Sequence, residues 1–564
     1  MFAILEGGFL KGSKAVLTLL ERQGVEVMFG LPGGTTIPLY DDLLDSKIRH
    51  VLVRHEQCAA HMADGYARAT GRVGVCTSTS GPGVTNLMTG VATAYVDSSP
   101  MLVLTGQVAS PLIGNDAFQE ADSFSLMMPI TKHNYRILDP NDIPEAIKRG
   151  MAIAATGRKG PVHVDLPVDM MRAEVSDESM RREFSALPPA EDYSGVSEAV
   201  KMLRAADRPL LLVGGGVIWS NATQEVLKIS QMLMAPIVTT IMGKGAVPED
   251  HPLCLGVIGM HGRECARKAF SEADLVLAVG TRFSDRSAGN QRVLGENARI
   301  IHVDIDSGEL SKASGSLVKI VGDARKALRL MIEGLSSPKG ESEWSKRVRS
   351  FIKSCECDID LPGNPIKPQK VIRDLMSVLP DNAFITTEVG QNQMWAAHFL
   401  KVRHPRQFIT SGGFGTMGFG FPAALGVKVA FPDRKVVDIA GDGSLQMVFQ
   451  EFATAVSENL PVMVCLMNNG WLGMVKQWQK LFWERRYSGT ELNKNPDFVR
   501  LAQAFGADGV RVENPDDLRP ALLAGLKSDV PFIVDIMVDP EEDVLPMIPP
   551  AMGLEMVRGR CRWK

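Results

Sequence analysis

Gly441-Asp442-Gly443-Ser444 and Asn468-Asn469 are the residues whose types and spacing most directly suggest chemistry in this 564-residue chain. The glycines let backbone N–H groups approach phosphate oxygens with no side chain in the way. Asp442 supplies a carboxylate oxygen and Asn469 an amide oxygen. A small octahedral Mg²⁺ takes such hard donors beside ligand phosphates and water. An ordinary strand-to-helix turn is the plainer reading, because Gly-Asp-Gly alone is a weak signal. The Asn-Asn pair at the end of the next strand favours a diphosphate held through a divalent cation. The elements that must position these groups surround them. Residues 435–440 read as a short buried strand, Leu445 to Glu458 has helical apolar spacing, and Leu460 to Met467 reads as the next parallel strand. An Asp thus ends one strand of a strand–helix–strand unit and an Asn ends the other.

A chain of this length exceeds one domain and predicts three or four. At 45% hydrophobic and 22% charged, it has an ordinary globular composition with an ample core. A net charge of −4 and the lack of a basic tract point away from nucleic acid and anionic membranes. Residues 1–12 carry Glu6 and lack the pattern of a signal peptide, and no apolar run reaches membrane-spanning length. The expectation is a cytoplasmic protein. None of the 8 cysteines forms a C-x-x-C pair, and Cys355-Glu-Cys357 has no matching second pair, so reduced thiols and no zinc site are expected.

Repeated strand–helix alternation predicts an α/β protein of three doubly wound parallel-sheet domains, over residues 1–175, 190–340 and 366–564. The charged stretch from Met170 to Ser197 reads as a linker, and Leu335 to Glu356 as a second hydrophilic connection. In the first domain, Ile48 to Arg54 is a strand closed by His55-Glu56, with a helix from Gln57 to Thr70. Glu56 suits a helix N-terminus on local grounds and equally a carboxylate facing a bound ring.

The Gly-Asp-Gly and Asn-Asn signature resembles the thiamine-diphosphate enzymes. The chain is similar almost throughout to the acetohydroxyacid synthase (acetolactate synthase) catalytic subunits. The stretches that carry this are Phe29-Gly-Leu-Pro-Gly-Gly34, Ala63-Asp-Gly-Tyr-Ala-Arg68, Asp116-Ala-Phe-Gln-Glu120, Thr131-Lys-His-Asn-Tyr135, Gly413-Phe-Gly-Thr-Met-Gly-Phe-Gly420 and Leu472-Gly-Met-Val-Lys-Gln-Trp478. The resemblance implies, in order, an aminopyrimidine-binding domain, a central FAD-binding domain and a diphosphate-binding domain. It implies thiamine diphosphate, Mg²⁺ and FAD as cofactors, the last without redox work.

Carried over by position, Glu56 would share a proton with N1′ of the aminopyrimidine, a role the cofactor's own chemistry requires of the protein. Gly30 would lie beside the reacting centre, with Gln119 and Lys132 lining the approach. Val389, Gln391, Asn392, Gly415, Met417, Leu472, Gly473 and Met474 would surround thiamine diphosphate, with Gly441, Gly443 and Ser444 at its diphosphate. Met417 would hold the cofactor bent. Asn392 stands where the family usually has His, and its amide would keep a phosphate-facing hydrogen bond. Asp442, Asn469 and the backbone oxygen of Trp471 would hold Mg²⁺.

For FAD the resemblance implies Arg158, Gly214, Gly215, Gly216, Thr240 and Met242. Met260, His261, Gly280, Arg282, Asp285, Arg286, Asp304 and Asp306 complete that set. A triple glycine after a strand permits close approach of a dinucleotide but serves equally as a plain turn. Arg286 would also fork the carboxylate of a second 2-oxo acid. Trp478, with Phe118 and Met260, would wall a pocket favouring the ethyl group of 2-oxobutyrate over the methyl of pyruvate. Surface pairing for Arg286 and plain core packing for Trp478 are the bland alternatives.

The implied activity is decarboxylation of pyruvate and transfer of the hydroxyethyl unit to pyruvate or 2-oxobutyrate. The products are 2-acetolactate and 2-aceto-2-hydroxybutyrate, precursors of valine, leucine and isoleucine. The alternatives are pyruvate oxidase, 2-oxo acid decarboxylase or glyoxylate carboligase on the same fold, the last of which Glu56 argues against, or a non-catalytic paralogue. The resemblance further implies a homodimer or homotetramer with active sites between subunits, and a separate small regulatory subunit as partner.

Overall fold

The computed structural model describes residues 10–184, 188–284, 298–312, 316–355 and 363–548. The first strands are β1 (Leu10–Lys11), β2 (Val27–Leu31), β3 (Arg49–Leu52), β4 (Gly74–Ser78), β5 (Met101–Gln107), β6 (His133–Arg136), β7 (Pro161–Pro167) and β8 (Glu174–Val175). β1 and β8 make a small antiparallel pair, and the others form a parallel sheet in the order β3-β2-β4-β5-β7-β6.

The second sheet comprises β9 (Pro209–Val213), β10 (Ile237–Thr239), β11 (Cys254–Val257), β12 (Leu275–Val279), β13 (Arg299–Asp304) and β14 (Ser316–Val321). Its order is β11-β10-β9-β12-β13-β14, again parallel. The third contains β15 (Phe384–Thr387), β16 (Phe408–Thr410), β17 (Val436–Gly441), β18 (Met463–Asn468), β19 (Asp508–Val512) and β20 (Phe532–Met537), in the order β16-β15-β17-β18-β20-β19. The doubly wound reading is met three times. The first and third sheets also share one strand order, a repeat that no short sequence period announces.

The reason these segments are strands is plainest in β9. Leu210 and Leu212 enter one apolar core with Val276, Ala278 and Ile300, while Leu211 and Val213 enter another with Leu275, Leu277 and Val279. A parallel sheet covered by helices on both faces needs such uninterrupted apolar strands. Each sheet has a point where successive connections leave in opposite directions, and the loops beyond the carboxyl ends open a crevice there. These points lie between β2 and β4, between β9 and β12, and between β15 and β17.

The chain forms two compact units. One comprises Met1–Pro188, Phe414–Pro432 and Val448–Pro461, the other Pro189–Gly413, Asp433–Met447 and Val462–Lys564. In the first, helix Gly420–Ala430 crosses helix Glu56–Thr70 at near backbone contact. A Cβ on Gly65 would lie 2.3 Å from the Ala423 carbonyl oxygen, and one on Gly426 would lie 2.0 Å from that of Met62.

Three expectations are corrected. The stretch from Met170 to Ser197 is not a plain linker. It contains helices Val168–Arg172 and Asp177–Arg181, and Met171, Val175 and Met180 are buried in the first core. Between Leu335 and Glu356 lies the helix Glu343–Ser354, whose Trp344, Val348 and Phe351 pack on the middle sheet. In both, a few apolar residues at helical spacing outweigh the charged composition. The helix expected from Leu445 to Glu458 is split into Asp442–Leu445 and Glu451–Ser457, which belong to different units.

Cys58, Cys76, Cys254, Cys265, Cys355 and Cys465 are thiols outside any disulfide, while Cys357 and Cys561 lie outside the described residues. Among the described residues no helix is long and apolar enough to cross a membrane.

Candidate active site

The third sheet brings its predicted residues together. β15 ends at Thr387, just before Glu388, and Gly390 takes a left-handed φ of 153° before the helix Gln391–Phe399. β17 ends in Gly441 and β18 in Asn468, so the Gly-Asp-Gly and Asn-Asn turns close the same edge. Asp442 is only 2% exposed, and its Oδ2 accepts from the Gly470 N–H at 3.0 Å and from Asn495 Nδ2 at 2.6 Å. Burial pushes its carboxyl up to about 6, against the pull of those donors. Among the described residues it has no ion-pair partner. A dry carboxylate with donors but no counter-charge is the environment a hard divalent cation relieves.

Asn469 Oδ1 accepts from the Trp471 N–H at 3.0 Å, and Asn469 Nδ2 donates to Gln391 Oε1 at 3.3 Å. Gly473 opens the helix Gly473–Phe482 directly against this pair, where a Cβ would lie 2.1 Å from Gln391 Oε1. Leu472 is anchored by its N–H on the Thr490 carbonyl at 2.8 Å, and Met474 packs on the third core. Trp478, farther along, meets Phe482 edge-on, and its indole nitrogen is buried without a hydrogen-bond partner among the described residues. Such an orphan donor wants an occupant.

Two expected phosphate contacts take other partners. Asn392 Nδ2 donates to the carbonyls of Glu388 at 3.0 Å and Ile439 at 2.7 Å. Both amide hydrogens are therefore committed to tying β15 to β17, which leaves neither of them for the phosphate-facing bond expected there. Ser444 donates its hydroxyl to Glu388 Oε2 at 2.5 Å. Val389 sits half-buried at the same turn. Asn495, which orients Asp442 and also reaches Asn468 Oδ1 at 3.3 Å, was missed. Its only local signal is an Asn-Pro turn.

Gly415, with φ 74°, and the half-buried Met417 belong to the first unit, where Thr416 meets Thr93 through their hydroxyls at 2.6 Å. Glu56 lies in that unit too. It opens the helix Glu56–Thr70, whose N-cap His55 accepts from the Gln57 N–H at 3.2 Å, so β3 ends earlier than expected. Glu56 is 6% exposed and accepts from Asn86 Nδ2 at 2.9 Å.

Gly30 ends nearby on β2, with its carbonyl accepting from the Val53 N–H at 3.2 Å. A Cβ there would lie 2.6 Å from the Thr77 carbonyl oxygen and 2.9 Å from the Tyr40 hydroxyl. Tyr40 bonds His50 Nε2 at 3.0 Å. Burial, then the Glu56 charge, pushes the Tyr40 phenol up, and burial pushes His50 down to about 4.

Gln119 holds a positive φ of 58°, and its carbonyl would lie 2.6 Å from a Cβ on Gly81, at the carboxyl end of β4. Phe118 beside it is 88% exposed. Lys132 stands elsewhere. Its backbone N–H meets the carbonyl of Pro161, the first residue of β7, at the edge opposite Gly30. Its ammonium donates to the carbonyls of Ile153 and Thr156 at 2.5 and 2.8 Å, and burial lowers it to about 8. Within the chain it is not brought to the approach.

The residues expected at FAD gather at the carboxyl edge of the middle sheet. Gly214–Gly216 follow β9, Thr240–Met242 follow β10, Met260-His261 follow β11, Gly280–Arg282 follow β12, and Asp304–Asp306 end β13. A Cβ on Gly214 would lie 2.1 Å from the Gly280 carbonyl oxygen, and one on Gly216 would lie 2.7 Å from Gly280 Cα. The two loops flanking the switch point are therefore bare backbone, which suits a dinucleotide's phosphates. The acid that usually follows such glycines at the second strand is replaced here by Thr240, and the acids stand on β13 instead. Arg158, in the first unit, donates from Nε to Ser98 Oγ at 3.0 Å. Asp285 and Arg286 lie outside the described residues.

Residues 10–126 match the N-terminal TPP binding domain of thiamine pyrophosphate enzymes, 196–331 their central domain, and 388–536 their C-terminal TPP binding domain. The chain is 47% identical to the probable acetolactate synthase large subunit of Methanocaldococcus jannaschii, over 96% of this chain and 94% of that protein. It is 43% identical to the acetolactate synthase large subunit of Corynebacterium glutamicum, covering 96% and 88%. With that of Haemophilus influenzae it shares 42% identity over 95% and 96%.

Proposed function

From the premise that the chain belongs to the thiamine pyrophosphate enzymes, and among them to the acetolactate synthase large subunits, we propose that it is a carboligase of 2-oxo acids. It decarboxylates pyruvate and joins the remaining hydroxyethyl unit to pyruvate or 2-oxobutyrate. The products, 2-acetolactate and 2-aceto-2-hydroxybutyrate, feed branched-chain amino-acid synthesis. The observation that carries this reading is the convergence of Gly441–Ser444, Asn468–Trp471 and Gln391 on one switch point, around a buried carboxylate that has no cation among the described residues.

Thiamine diphosphate, when bound, supplies the carbon nucleophile and takes up the electrons left by CO₂. The chain's own groups bind and orient. Glu56, kept dry and in reach of Asn86, would share a proton with the aminopyrimidine N1′. Asp442, Asn469 and the Trp471 carbonyl would hold Mg²⁺, and the backbone of Gln391, Gly473 and the Gly-Asp-Gly turn would receive the diphosphate. Gly30 leaves room where a side chain would intrude. The bare loops at Gly214–Gly216 and Gly280 would hold FAD in a structural role.

Arg286 is read as the fork for the second acid's carboxylate and Trp478 as the apolar wall beside its alkyl group. Lys132 and Phe118 are read as approach residues completed on assembly. A homodimer or homotetramer, with Glu56 and Asp442 supplied by different copies, follows the family resemblance, and the exposed Phe118 supports association. The relatives' designation as large subunits supports a smaller regulatory partner.

The test is cofactor dependence of acetolactate formation from pyruvate. Omitting thiamine diphosphate, or chelating divalent metal, should abolish it, and re-addition should restore it. Turnover that persists without thiamine diphosphate would contradict the proposal.

A further inference from the structure

Three carboxamide side chains form a directional chain of hydrogen bonds through the third domain. The Trp471 N–H donates to Asn469 Oδ1, Asn469 Nδ2 donates to Gln391 Oε1, and Gln391 Nε2 donates to Gln477 Oε1 at 2.9 Å. Gln477 then reads the backbone of the segment after β20. Its Oε1 accepts from the Val544 N–H at 2.9 Å, and its Nε2 donates to the Val544 carbonyl at 3.0 Å. Gln391 Nε2 reaches the same segment at the Glu542 carbonyl, 3.3 Å away. Gln477 is 1% exposed, so its own bonds to Gln391 and Val544 are made out of water.

The segment from Val538 to Ile548 is itself strapped in place. Lys367 pairs with Asp539 and Glu542, Lys476 with Glu541, and Lys480 with Asp543. At its far end the Ile548 N–H donates to the Met260 carbonyl at 2.8 Å. It therefore bonds, through a few residues, to the helix carrying Trp478, to Gln391, and to the loop after β11.

Direction is the informative feature. A carboxamide has an accepting end and a donating end, and reversing one amide sets N–H against N–H. Gln477 can offer Oε1 to Gln391 because Val544 takes its Nε2. Gln391 can then offer Oε1 to Asn469, whose own Oδ1 is left facing the Trp471 turn. Where the chain is buried, at Gln391 and Gln477, each bond also polarises the next. Nothing local marks Gln477, because its backbone partner Val544 lies 67 residues away in the sequence.

We propose that Gln477 is a positioning residue that sets the amide orientation of Gln391 and Asn469 by reading the strap's backbone, and so pre-forms the loop that receives cation and diphosphate. What that loop receives rests on the functional reading above, whereas the amide chain does not. Outer partners of this kind commonly change ligand affinity 10- to 100-fold, an order of magnitude from metal sites.

The experiment compares wild type with Gln477→Met, which neither donates nor accepts here, and with Gln477→Glu, which keeps acceptors but loses the donor to Val544. Two readouts need no turnover: hydrogen exchange of the peptide spanning Val544, and calorimetric binding of thiamine diphosphate in Mg²⁺. For Gln477→Met we expect faster exchange and roughly tenfold weaker binding, with the larger part of the activity loss in cofactor affinity rather than in kcat at saturation. Gln477→Glu should show the same effects in smaller measure, and it decides the matter if the methionine variant does not fold.

A double variant with Gln391→Met should bind little worse than the weaker single, because both break one chain. Faster exchange with affinity within twofold of wild type would make Gln477 a merely structural residue and overturn the proposal. So would losses that multiply in the double variant, or no change in either readout. If wild type binds thiamine diphosphate yet forms no acetohydroxy acid, the functional reading falls while these arms still judge the amide chain.

Discussion

Glu56 is a carboxylate held almost dry at the first turn of a long helix, with one amide, that of Asn86, as its hydrogen-bond partner. If its task is to hold a proton for a bound ring, changing its chemistry should strike turnover and spare affinity. Glu56→Gln is expected to lower kcat by roughly 10²–10⁴-fold, with thiamine diphosphate binding changed little. Stopped-flow turnover beside calorimetric binding checks this, and near-normal kcat would remove Glu56 from the proton path. Trp478→Leu should erode the preference for 2-oxobutyrate, since one methylene in an apolar pocket is worth roughly 1–3 kcal/mol. The product ratio at equal substrate concentrations reads it, and an unchanged ratio would return Trp478 to plain packing.

Residues such as Asp442 and Glu56 could be singled out from the chain because their type and local setting are unusual. Asn495 and Gln477 could not, because their partners lie 53 and 86 residues away, at Asp442 and Gln391, and meet them only in the fold. Asn392 shows the converse. Its position suggested a phosphate contact, but two strand-end carbonyls claim its hydrogens first.

Elements were readable where apolar runs were uninterrupted, as in β9 and β12, and misread where few apolar residues stood among charges. The helix Glu343–Ser354 is hidden in this way, its inward residues outnumbered by solvent-facing ones. Contacts between elements carry a further prediction in the second unit. Lys244 Nζ donates to both oxygens of Glu249, at 2.8 and 2.7 Å, and to the Leu400 carbonyl at 2.6 Å, while Glu249 accepts from the Val402 N–H at 2.8 Å. Lys244→Met strands a buried charge and should cost about 3–5 kcal/mol of stability. Adding Glu249→Leu should recover part of that loss. Denaturant midpoints decide it, and a single variant as stable as wild type would show the pair to be idle.

At the scale of the whole molecule, the first and third sheets repeat one strand order, and each places its candidate residues at the same kind of switch point. That symmetry is not readable in the sequence, because β6, His-Asn-Tyr-Arg, has no apolar run to mark it as a strand. Several buried or half-buried histidines are spread over these sheets. Burial pushes His50, His61 and His302 down to about 4 and His163 to about 3. A lowered histidine contributes stability that is full above about 6.5 and lost as pH falls through the folded value. One unit below 6.5, each should cost about 1.4 kcal/mol. Buried acids pushed up, Asp442 among them, act oppositely below about 6, so a difference is the cleaner reading. Between pH 7.5 and 5.5, wild type should lose about 1.4 kcal/mol more than His61→Leu. Equal losses would mean His61 titrates normally.

The central claim is carboligation of two different 2-oxo acids. Its most direct test supplies purified protein with thiamine diphosphate, Mg²⁺, FAD, pyruvate and 2-oxobutyrate together, and quantifies both acetohydroxy acids. Formation of both, with 2-aceto-2-hydroxybutyrate enriched over its share of substrate, is the predicted result. Acetaldehyde or acetate without either acetohydroxy acid would contradict it.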